Sequence, residues 1–306
     1  MRPYQLGPNH DLSTSVISLG CMRIGKLEDL ALDALLASAL ESGINFFDHA
    51  DIYGSGRCEE VFAAALKRNR IPRESIILQS KCGIRKGQFD FSEKHILGST
   101  DAILQRLGTD YIDILMLHRP DTLMEPEEIA RAFDQLQASG KVRHFAVSNM
   151  NPGQIELLRR SVKQPLVANQ IQLSLAHTGI IDAGINVNMC DDPAVVRDGG
   201  VLEYCRLHDI AIQAWSPFQY GFFEGVFIGS EKFPALNELL NQFGEAKNLT
   251  PTAVSIAWLL RHPARIQPVI GTTNPQRVRE IALAADAEMT REEWYQLYLA
   301  AGNRLP

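Results

Sequence analysis

Ionisable and aromatic side chains follow short apolar runs at several points in this chain of 306 residues. Such side chains can give, accept or hold a proton, which is the chemistry that general acid–base catalysis needs. The candidates are Asp48, Tyr53, Lys81 and His118. If the fold brings them together, burying three ionisable groups and a phenol without a function would be costly. The set therefore predicts a catalytic site.

Apolar runs separated by segments with helical periodicity predict the elements that carry these residues. Strands that alternate with helices form βαβ units around a parallel sheet. Functional groups at the carboxyl ends of the strands are typical of a (β/α)8 barrel, the TIM barrel of the α/β class. We expect eight strands, at residues 16–19, 44–47, 75–80, 111–117, 144–147, 166–173, 211–214 and in the run that ends at Ile270.

Segments outside these strands also have an expected place. Residues 4–6 and 12–14 flank the turn Gly7-Pro8-Asn9-His10, which predicts a small N-terminal β-hairpin at the bottom of the barrel. The connections 175–200 and 217–233 are long, and connections of that length are usually lids or binding loops. The second holds aromatic residues that either line a substrate pocket or pack against the barrel: Phe218, Tyr220, Phe222, Phe223 and Phe227.

Composition and charge limit the class of protein. Barrels of this length occur as one domain and no linker marks a boundary, so we expect a single domain over residues 1–306. The net charge of −6 argues against nucleic acid or an acidic membrane as a partner. Five scattered cysteines without a CxxC pair suit a reducing cytosol. The start Met1-Arg2-Pro3-Tyr4-Gln5 is not a signal peptide, so we expect a cytoplasmic protein. We also expect a monomer or a weak oligomer.

The order and surroundings of the four candidates resemble the aldo-keto reductase family over nearly the whole chain. Asp48-x4-Tyr53, Lys81 and His118 match the positions of the family's catalytic tetrad. Matching segments surround them: Gly20-Cys21-Met22, 43–48, Ser80-Lys81-Cys82-Gly83, 117–121, 140–143, Ser148-Asn149, Gln170, Trp215-Ser216-Pro217 and 271–277. The versions His-Ala-Asp-Ile-Tyr-Gly and His-Arg-Pro-Asp are most similar to a bacterial branch of poorly characterised oxidoreductases.

The resemblance implies reduction of an aldehyde or ketone with NAD(P)H, and a role for each of the four residues. Hydride addition to a carbonyl leaves an alkoxide that needs a proton, which Tyr53 would supply as general acid. An ammonium beside a phenol favours phenolate, so Lys81 would bring the pKa of Tyr53 from about 10 toward the working range. Asp48 would fix Lys81 in place, and a neutral His118 would hydrogen-bond the substrate oxygen.

Taken alone, each of the four has a structural interpretation as well. Asp is a favoured cap residue, so Asp48 could cap the next helix. Tyr53 could be a loop aromatic, Lys81 a solvated charge and His118 an ordinary histidine behind a buried strand. The proposed cofactor residues could likewise cap helices or belong to the core. Their convergence at neighbouring strand ends favours the catalytic interpretation.

The resemblance also implies the cofactor surface, since no G-x-G-x-x-G follows the first strand to indicate a Rossmann site. Ser148, Asn149 and Gln170 would bind the nicotinamide carboxamide, and Trp215 would stack on the ring. Arg277 would bind the 2′-phosphate of NADP. The full set of implied contacts is Cys21, Met22, Asp48, Ser148, Asn149, Gln170, Trp215, Ser216, Pro217, Phe218, Thr272, Thr273, Arg277 and Glu280.

Departures from the family pattern bear on the choice between NADPH and NADH. Many members carry a lysine where this chain has Gly271, just before the Thr272 of the 2′-phosphate site. An asparagine often contacts adenine where this chain has Ile281. Cys21 stands where threonine is usual, a change shared by some members. We expect NADPH as the cofactor, with NAD less favoured.

Two other functions remain open from the sequence. A metal-dependent barrel hydrolase would use His49, Asp51 and His118 as ligands, but such enzymes generally need a His-x-His pair after the first strand. Residues 20–23 offer none, so no metal is expected. A cofactor-sensing binding subunit with weak turnover would keep the same tetrad. Nicotinamide fluorescence and turnover of a generic aldehyde would separate the three functions.

Overall fold

Strands and helices alternate along the chain, as the apolar runs predict. The computed structural model describes residue 1 and residues 3–306, so Arg2 of the amino-terminal stretch considered above lies outside the described residues. The strands are β1 (Pro3–Leu6), β2 (Leu12–Ser15), β3 (Ser18–Gly20), β4 (Phe46–Asp48), β5 (Ile77–Cys82), β6 (Ile84–Arg85), β7 (Gln88–Phe89), β8 (Ile112–Leu117), β9 (Val142–Ser148), β10 (Leu166–Gln172), β11 (Ala211–Trp215), β12 (Gln219–Tyr220), β13 (Gly225–Val226) and β14 (Gln267–Ile270). The helices are α1 (Asp29–Glu41), α2 (Arg57–Arg68), α3 (Glu93–Leu107), α4 (Pro126–Ala138), α5 (Pro152–Arg159), α6 (Gly179–Ile185), α7 (Val201–Leu207), α8 (Pro234–Lys247), α9 (Pro251–Arg261), α10 (Pro275–Ala282) and α11 (Arg291–Ala300).

Eight of the described strands close into a barrel. Their hydrogen bonds follow the order β3, β4, β5, β8, β9, β10, β11, β14 and return to β3. Every neighbouring pair in this order is parallel, and the helices surround the strands. The predicted (β/α)8 barrel is confirmed.

Strand ends differ from the prediction by one or two residues. Asp48, Ser148 and Trp215 are the last residues of their strands, and Lys81 is the next to last of β5. These four residues therefore lie at the carboxyl ends of their strands, as predicted, but the predicted strands end one or two residues early because backbone pairing continues past the last apolar residue. Asp48 pairs with Gly20, for example. His118 does follow β8, as predicted.

The predicted hairpin lies at the amino-terminal end of the barrel. Antiparallel β1 and β2 bury Leu6 and Leu12. Arg265, just before β14, donates to the backbone oxygen of Gln5 at 2.6 Å, and Gln267 donates to that of Ser15 at 2.7 Å. Both contacts involve the start of β14, so the hairpin covers the end of the barrel opposite the predicted site.

The two long connections contain structure of their own. The first holds α6, and its Asp182 accepts a hydrogen bond from Tyr298 of α11 at 2.7 Å. The second holds the hairpin of β12 and β13. Among the described residues, no helix combines the length and the apolar composition needed to cross a membrane.

Candidate active site

A buried lysine–aspartate pair lies at the carboxyl ends of β4 and β5. Lys81 Nζ is 2.6 Å and 2.8 Å from the carboxylate oxygens of Asp48, and both residues are almost wholly buried. The same ammonium donates to the backbone oxygen of His49 at 2.8 Å and to Tyr53 Oη at 3.2 Å. A buried charge needs an opposite charge and satisfied hydrogen bonds. This site provides both, so Lys81 stays charged beside the phenol.

A tight turn brings Tyr53 to this pair. Tyr53 begins a short 3-10 helix, Tyr53–Gly56, in which the next three residues all have positive φ. Gly56 has φ +91, and a Cβ there would lie 2.7 Å from Arg106 Cδ. The backbone conformation therefore favours glycine at this position, and a Cβ would in addition displace the side chain of Arg106.

Burial and charge act in opposite directions on the central groups. Burial disfavours the ammonium of Lys81, but Asp48 and Tyr53 outweigh it and raise the pKa of Lys81. Burial raises the pKa of Tyr53, and the Lys81 ammonium opposes this shift without cancelling it. The expected net lowering of the Tyr53 pKa is therefore wrong, although Lys81 acts in the expected direction. Tyr53 keeps its proton at neutral pH.

His118 faces Tyr53 edge-on. The ring centroids are 6.0 Å apart, and the planes are inclined by 83°. Burial, together with the charges of Lys81 and Arg119, lowers the pKa of His118 to about 2. The imidazole is therefore neutral at physiological pH, as the sequence predicted. Its Nδ1 is buried and has no hydrogen-bond partner among the described residues.

Sequence reasoning missed a chain of buried glutamines that holds Asp48. Gln79 Nε2 and Gln170 Nε2 donate to Asp48 Oδ1 at 2.6 Å and 3.1 Å, and both also donate to Gln213 Oε1. Gln213 in turn donates to Gln267 Oε1 at 2.9 Å. These residues lie on β5, β10, β11 and β14, so the chain crosses the barrel interior. The available signal was a glutamine next to apolar residues in each of four predicted strands.

A second polar cluster lies behind Lys81 and was also missed. Glu59 of α2 is fully buried and accepts hydrogen bonds from Ser80 Oγ at 2.6 Å and Arg106 Nε at 2.7 Å. Ser80 directly precedes Lys81 in β5. The cluster therefore ties α2 and α3 to the strand that carries the lysine.

The residues expected at the nicotinamide contact one another. Ser148 Oγ donates to the backbone oxygen of Gln170 at 2.9 Å and accepts from Asn149 Nδ2 at 2.7 Å. Trp215 Nε1 donates to Asn149 Oδ1 at 3.1 Å. The structure thus brings Ser148, Asn149, Gln170 and Trp215 together. Asn149 and Ser216 have φ of 56° and 52°, a left-handed backbone conformation that is uncommon for non-glycine residues.

The residues expected at the 2′-phosphate lie around the start of α10. Asn274 caps this helix by accepting from the backbone N–H of Gln276 at 2.9 Å and of Arg277 at 3.3 Å. Thr272 and Thr273 precede the cap and are partly buried, and Arg277 is exposed in the first turn. Glu280, one turn later, accepts from Gln276 Nε2 at 3.0 Å. A helix amino terminus with an exposed arginine is suited to bind phosphate.

The remaining expected contacts divide between core and surface. Cys21 is fully buried at the end of β3, and burial with the nearby Asp48 raises its pKa well above the ordinary value, so the thiol is neutral. Met22 is 45% exposed. Pro217 is buried and Phe218 partly buried, just after Trp215. All four residues adjoin the carboxyl ends of their strands.

The aromatic stretch after Trp215 is divided between two places. Phe227 is fully buried and packs against Phe233, so it belongs to the core. Phe222 and Phe223 are largely exposed, with ring centroids 6.3 Å and 5.8 Å from that of Trp215. Packing against the barrel is therefore confirmed for Phe227, whereas a role of Phe222 and Phe223 as walls of a substrate pocket stays a prediction.

The ligands considered for a metal site are not arranged to bind one. The described residues contain no group of three or more His, Cys, Asp or Glu side chains that could hold an ion. The ring of His49 packs edge-on against Phe62 at 4.6 Å, and burial lowers its pKa to about 3.

Sequence comparison identifies the family. The model of the aldo/keto reductase family matches residues 16–298. The chain belongs to the aldo-keto reductases. A 6-dehydroglucose reductase of Agrobacterium fabrum is 37% identical over 96% of this chain and 97% of its own length. The oxidoreductase YcsN of Bacillus subtilis is 35% identical over 95% of each chain. An aldo-keto reductase from Klebsiella pneumoniae, solved in complex with NADPH, has a TM-score of 0.78 at 23% identity, covering 97% of this chain and 93% of that chain.

Membership makes this aldo-keto reductase an oxidoreductase that reduces carbonyl compounds with a nicotinamide cofactor. The residues present fit such a cofactor. Gln170 uses both N–H groups within the protein, so its Oε1 remains as an acceptor. Asn149 uses one N–H, so the other remains as a donor. One acceptor and one donor match the two ends of a carboxamide.

Proposed function

We propose that this aldo-keto reductase reduces an aldehyde or a ketone to the alcohol with NADPH, and that Tyr53 is the general acid. The 3.2 Å contact between Lys81 Nζ and Tyr53 Oη carries the proposal, in a buried site where Asp48 holds the ammonium. A phenol that keeps its proton at neutral pH can give it to the carbonyl oxygen as negative charge develops there. The ammonium then stabilises the phenolate left behind.

His118 orients the substrate in this proposal. A neutral imidazole can hydrogen-bond the carbonyl oxygen without placing a second positive charge beside Lys81. Charge that develops on that oxygen would then face both His118 and the phenol, which lowers the energy of the transition state more than that of the ground state. Asp48 and the glutamine chain keep the ammonium in position.

NADPH supplies the hydride when it is bound. Gln170 and Asn149 would hold the carboxamide with the hydrogen-bonding groups that remain to them, beside Ser148, and Trp215 would contact the ring. Ser216, Pro217 and Phe218 would meet the pyrophosphate, and Asp48, Cys21 and Met22 would adjoin the nicotinamide end. Thr272, Thr273 and Arg277 would hold the 2′-phosphate, and Glu280, whose carboxylate cannot bind an anion, would contact another part of the same end of the cofactor. The exposed guanidinium of Arg277 supports NADPH over NADH.

The remaining parts of the proposal concern the molecule as a whole. Residues 1–306 would act as one barrel domain on a small carbonyl substrate. The chain would work as a monomer or a weak oligomer, without nucleic acid or a membrane as a partner.

Replacing Tyr53 with phenylalanine tests the proposal, because it removes the transferable proton and keeps the ring. We expect Tyr53→Phe to reduce the rate of aldehyde reduction by at least about 10²-fold, the lower end for loss of a general acid. Folding and NADPH affinity, measured by thermal unfolding and nicotinamide fluorescence, should be retained. Tyr295→Phe on α11 is the matched control and should leave turnover unchanged.

Near-normal turnover in Tyr53→Phe would show that the proton donor is another group, and His118 would then be the candidate. A wild-type protein that binds NADPH but reduces none of a panel of simple aldehydes would instead indicate a cofactor-sensing subunit.

A further inference from the structure

Arg119 differs from the other sheltered arginines of the molecule. The arginines of intermediate burial among the described residues are Arg73, Arg106 and Arg119. Arg73 pairs with the buried Asp113 at 2.6 Å, and Arg106 pairs with Glu59 at 2.7 Å. No carboxylate of the described residues lies within 4.0 Å of Arg119, and its guanidinium donates no hydrogen bond to them. A partly buried cation without a counterion is costly unless a ligand supplies one.

The position of Arg119 places this cation in the reaction site. Arg119 directly follows His118, and its charge helps to lower the pKa of His118. Tyr53 is the neighbouring side chain that acts on the pKa of Arg119 itself. Its guanidinium carbon lies 5.5 Å from the ring centroid of Trp215. Phe222 and Phe223 pack around the same tryptophan. An unpaired cation beside apolar aromatic walls therefore adjoins the proton donor.

We propose that Arg119 determines substrate class, by binding an anionic oxygen group, such as a carboxylate, carried by the carbonyl substrate. This inference rests on the proposed carbonyl reductase function and names the kind of carbonyl compound that the site prefers. A guanidinium binds a carboxylate through charge-assisted, often bidentate hydrogen bonds. The anionic group of the substrate would supply the counterion that Arg119 lacks among the described residues. The aromatic walls would cover the apolar part of the same molecule.

Two pairs of aromatic probes separate charge from shape. Benzoate and benzamide have no reducible carbonyl and differ in charge at similar size, so their binding to the enzyme–NADPH complex can be measured by calorimetry. The corresponding aldehydes, 4-formylbenzoate and 4-formylbenzamide, report turnover. Arg119→Gln removes the charge, Arg119→Lys keeps it without the planar fork, and Arg160→Gln on the surface controls for net charge.

We expect Arg119→Gln to weaken benzoate binding and raise the KM for 4-formylbenzoate by roughly 10- to 100-fold, the scale of one charge-assisted contact. The affinity for benzamide, the KM for 4-formylbenzamide and the kcat for both aldehydes should change by less than about threefold. The values for Arg119→Lys should fall between those for wild type and Arg119→Gln. Arg160→Gln should match wild type.

Equal binding of benzoate by wild type and Arg119→Gln would overturn the inference, and so would an equal loss for both probes or a weaker NADPH affinity. If benzoate discrimination is present but neither aldehyde is reduced, the anion site stands and the proposed reduction fails. The binding readout therefore judges Arg119 separately from turnover.

Discussion

The Asp51 carboxyl lies two residues before Tyr53 and beside the lysine strand. Its backbone N–H donates to the backbone oxygen of Lys81 at 3.0 Å, and its Oδ1 is buried without a partner among the described residues. Burial, followed by the nearby Glu59, raises the pKa of Asp51 to about 7, against the opposing charges of Arg106 and Lys81. The Asp51 carboxyl thus keeps its proton in the folded protein at pH values at which the unfolded chain has lost it.

This difference predicts a pH-dependent stability. Between the ordinary pKa of 3.8 and about 7, the folded state binds more protons at Asp51 than the unfolded state, so its contribution to the free energy of unfolding falls as pH rises. Asp51→Asn replaces the titrating carboxyl with a neutral amide, so the variant should not lose this free energy of unfolding as pH rises. We expect the variant to gain in melting temperature relative to wild type at pH 8, and to gain much less at pH 5.

The exposed Asp110→Asn is the matched control and should show no such dependence. The same shift in melting temperature at both pH values would mean that the Asp51 carboxyl does not titrate differently in the folded and unfolded states.

The start of helix α10 combines three elements that suit a phosphate. Asn274 caps the helix, Pro275 occupies its first turn, and Arg277 extends into solvent beside the free end. The partial positive charge of a helix amino terminus adds to that of the guanidinium. A 2′-phosphate, which NADPH carries and NADH lacks, would interact with both.

Arg277→Ala should therefore weaken NADPH binding by about 1.5–3 kcal/mol, the scale of a charge-assisted contact, and hardly change NADH binding. Dissociation constants from nicotinamide fluorescence measure both. Arg291→Ala, at the exposed start of α11, should leave both unchanged. An equal loss for the two cofactors would assign Arg277 a structural role.

The strands of the barrel were more predictable from the sequence than the polar contacts inside the barrel. All eight barrel strands follow from apolar runs between helical segments, because burial on both faces leaves a near-continuous apolar run. Lys81, Asp48 and Tyr53 were predicted to meet, and they do. Gln79, Gln213 and Gln267 were not predicted, since a residue in a barrel strand faces either the interior or the helices. The direction in which a side chain faces depends on the register of its strand, and this register is fixed only when the strands pair and the barrel closes.

The two ends of the whole barrel carry different features. The tetrad, Trp215 and the start of α10 adjoin the carboxyl ends of the strands, whereas the β1–β2 hairpin covers the amino ends. The hairpin packs closely, since a Cβ on Gly7 would lie 2.7 Å from Val167 Cγ1 on β10. In barrels of this kind, residues at the bottom contribute to stability and residues at the top to catalysis.

Leu6→Ala tests this division at the bottom of the barrel. Leu6 is 0% exposed, so truncating it should lower the free energy of unfolding by about 2–5 kcal/mol through lost apolar burial and a cavity. Urea unfolding measures that loss, and kcat/KM for an aldehyde at 25 °C should stay within about twofold of wild type because the site is at the other end. Leu30→Ala on α1 is the control, since Leu30 is 84% exposed and should contribute little. If the Leu6→Ala protein loses activity while its stability is unchanged, the hairpin acts on the site, and the separation of the two ends is wrong.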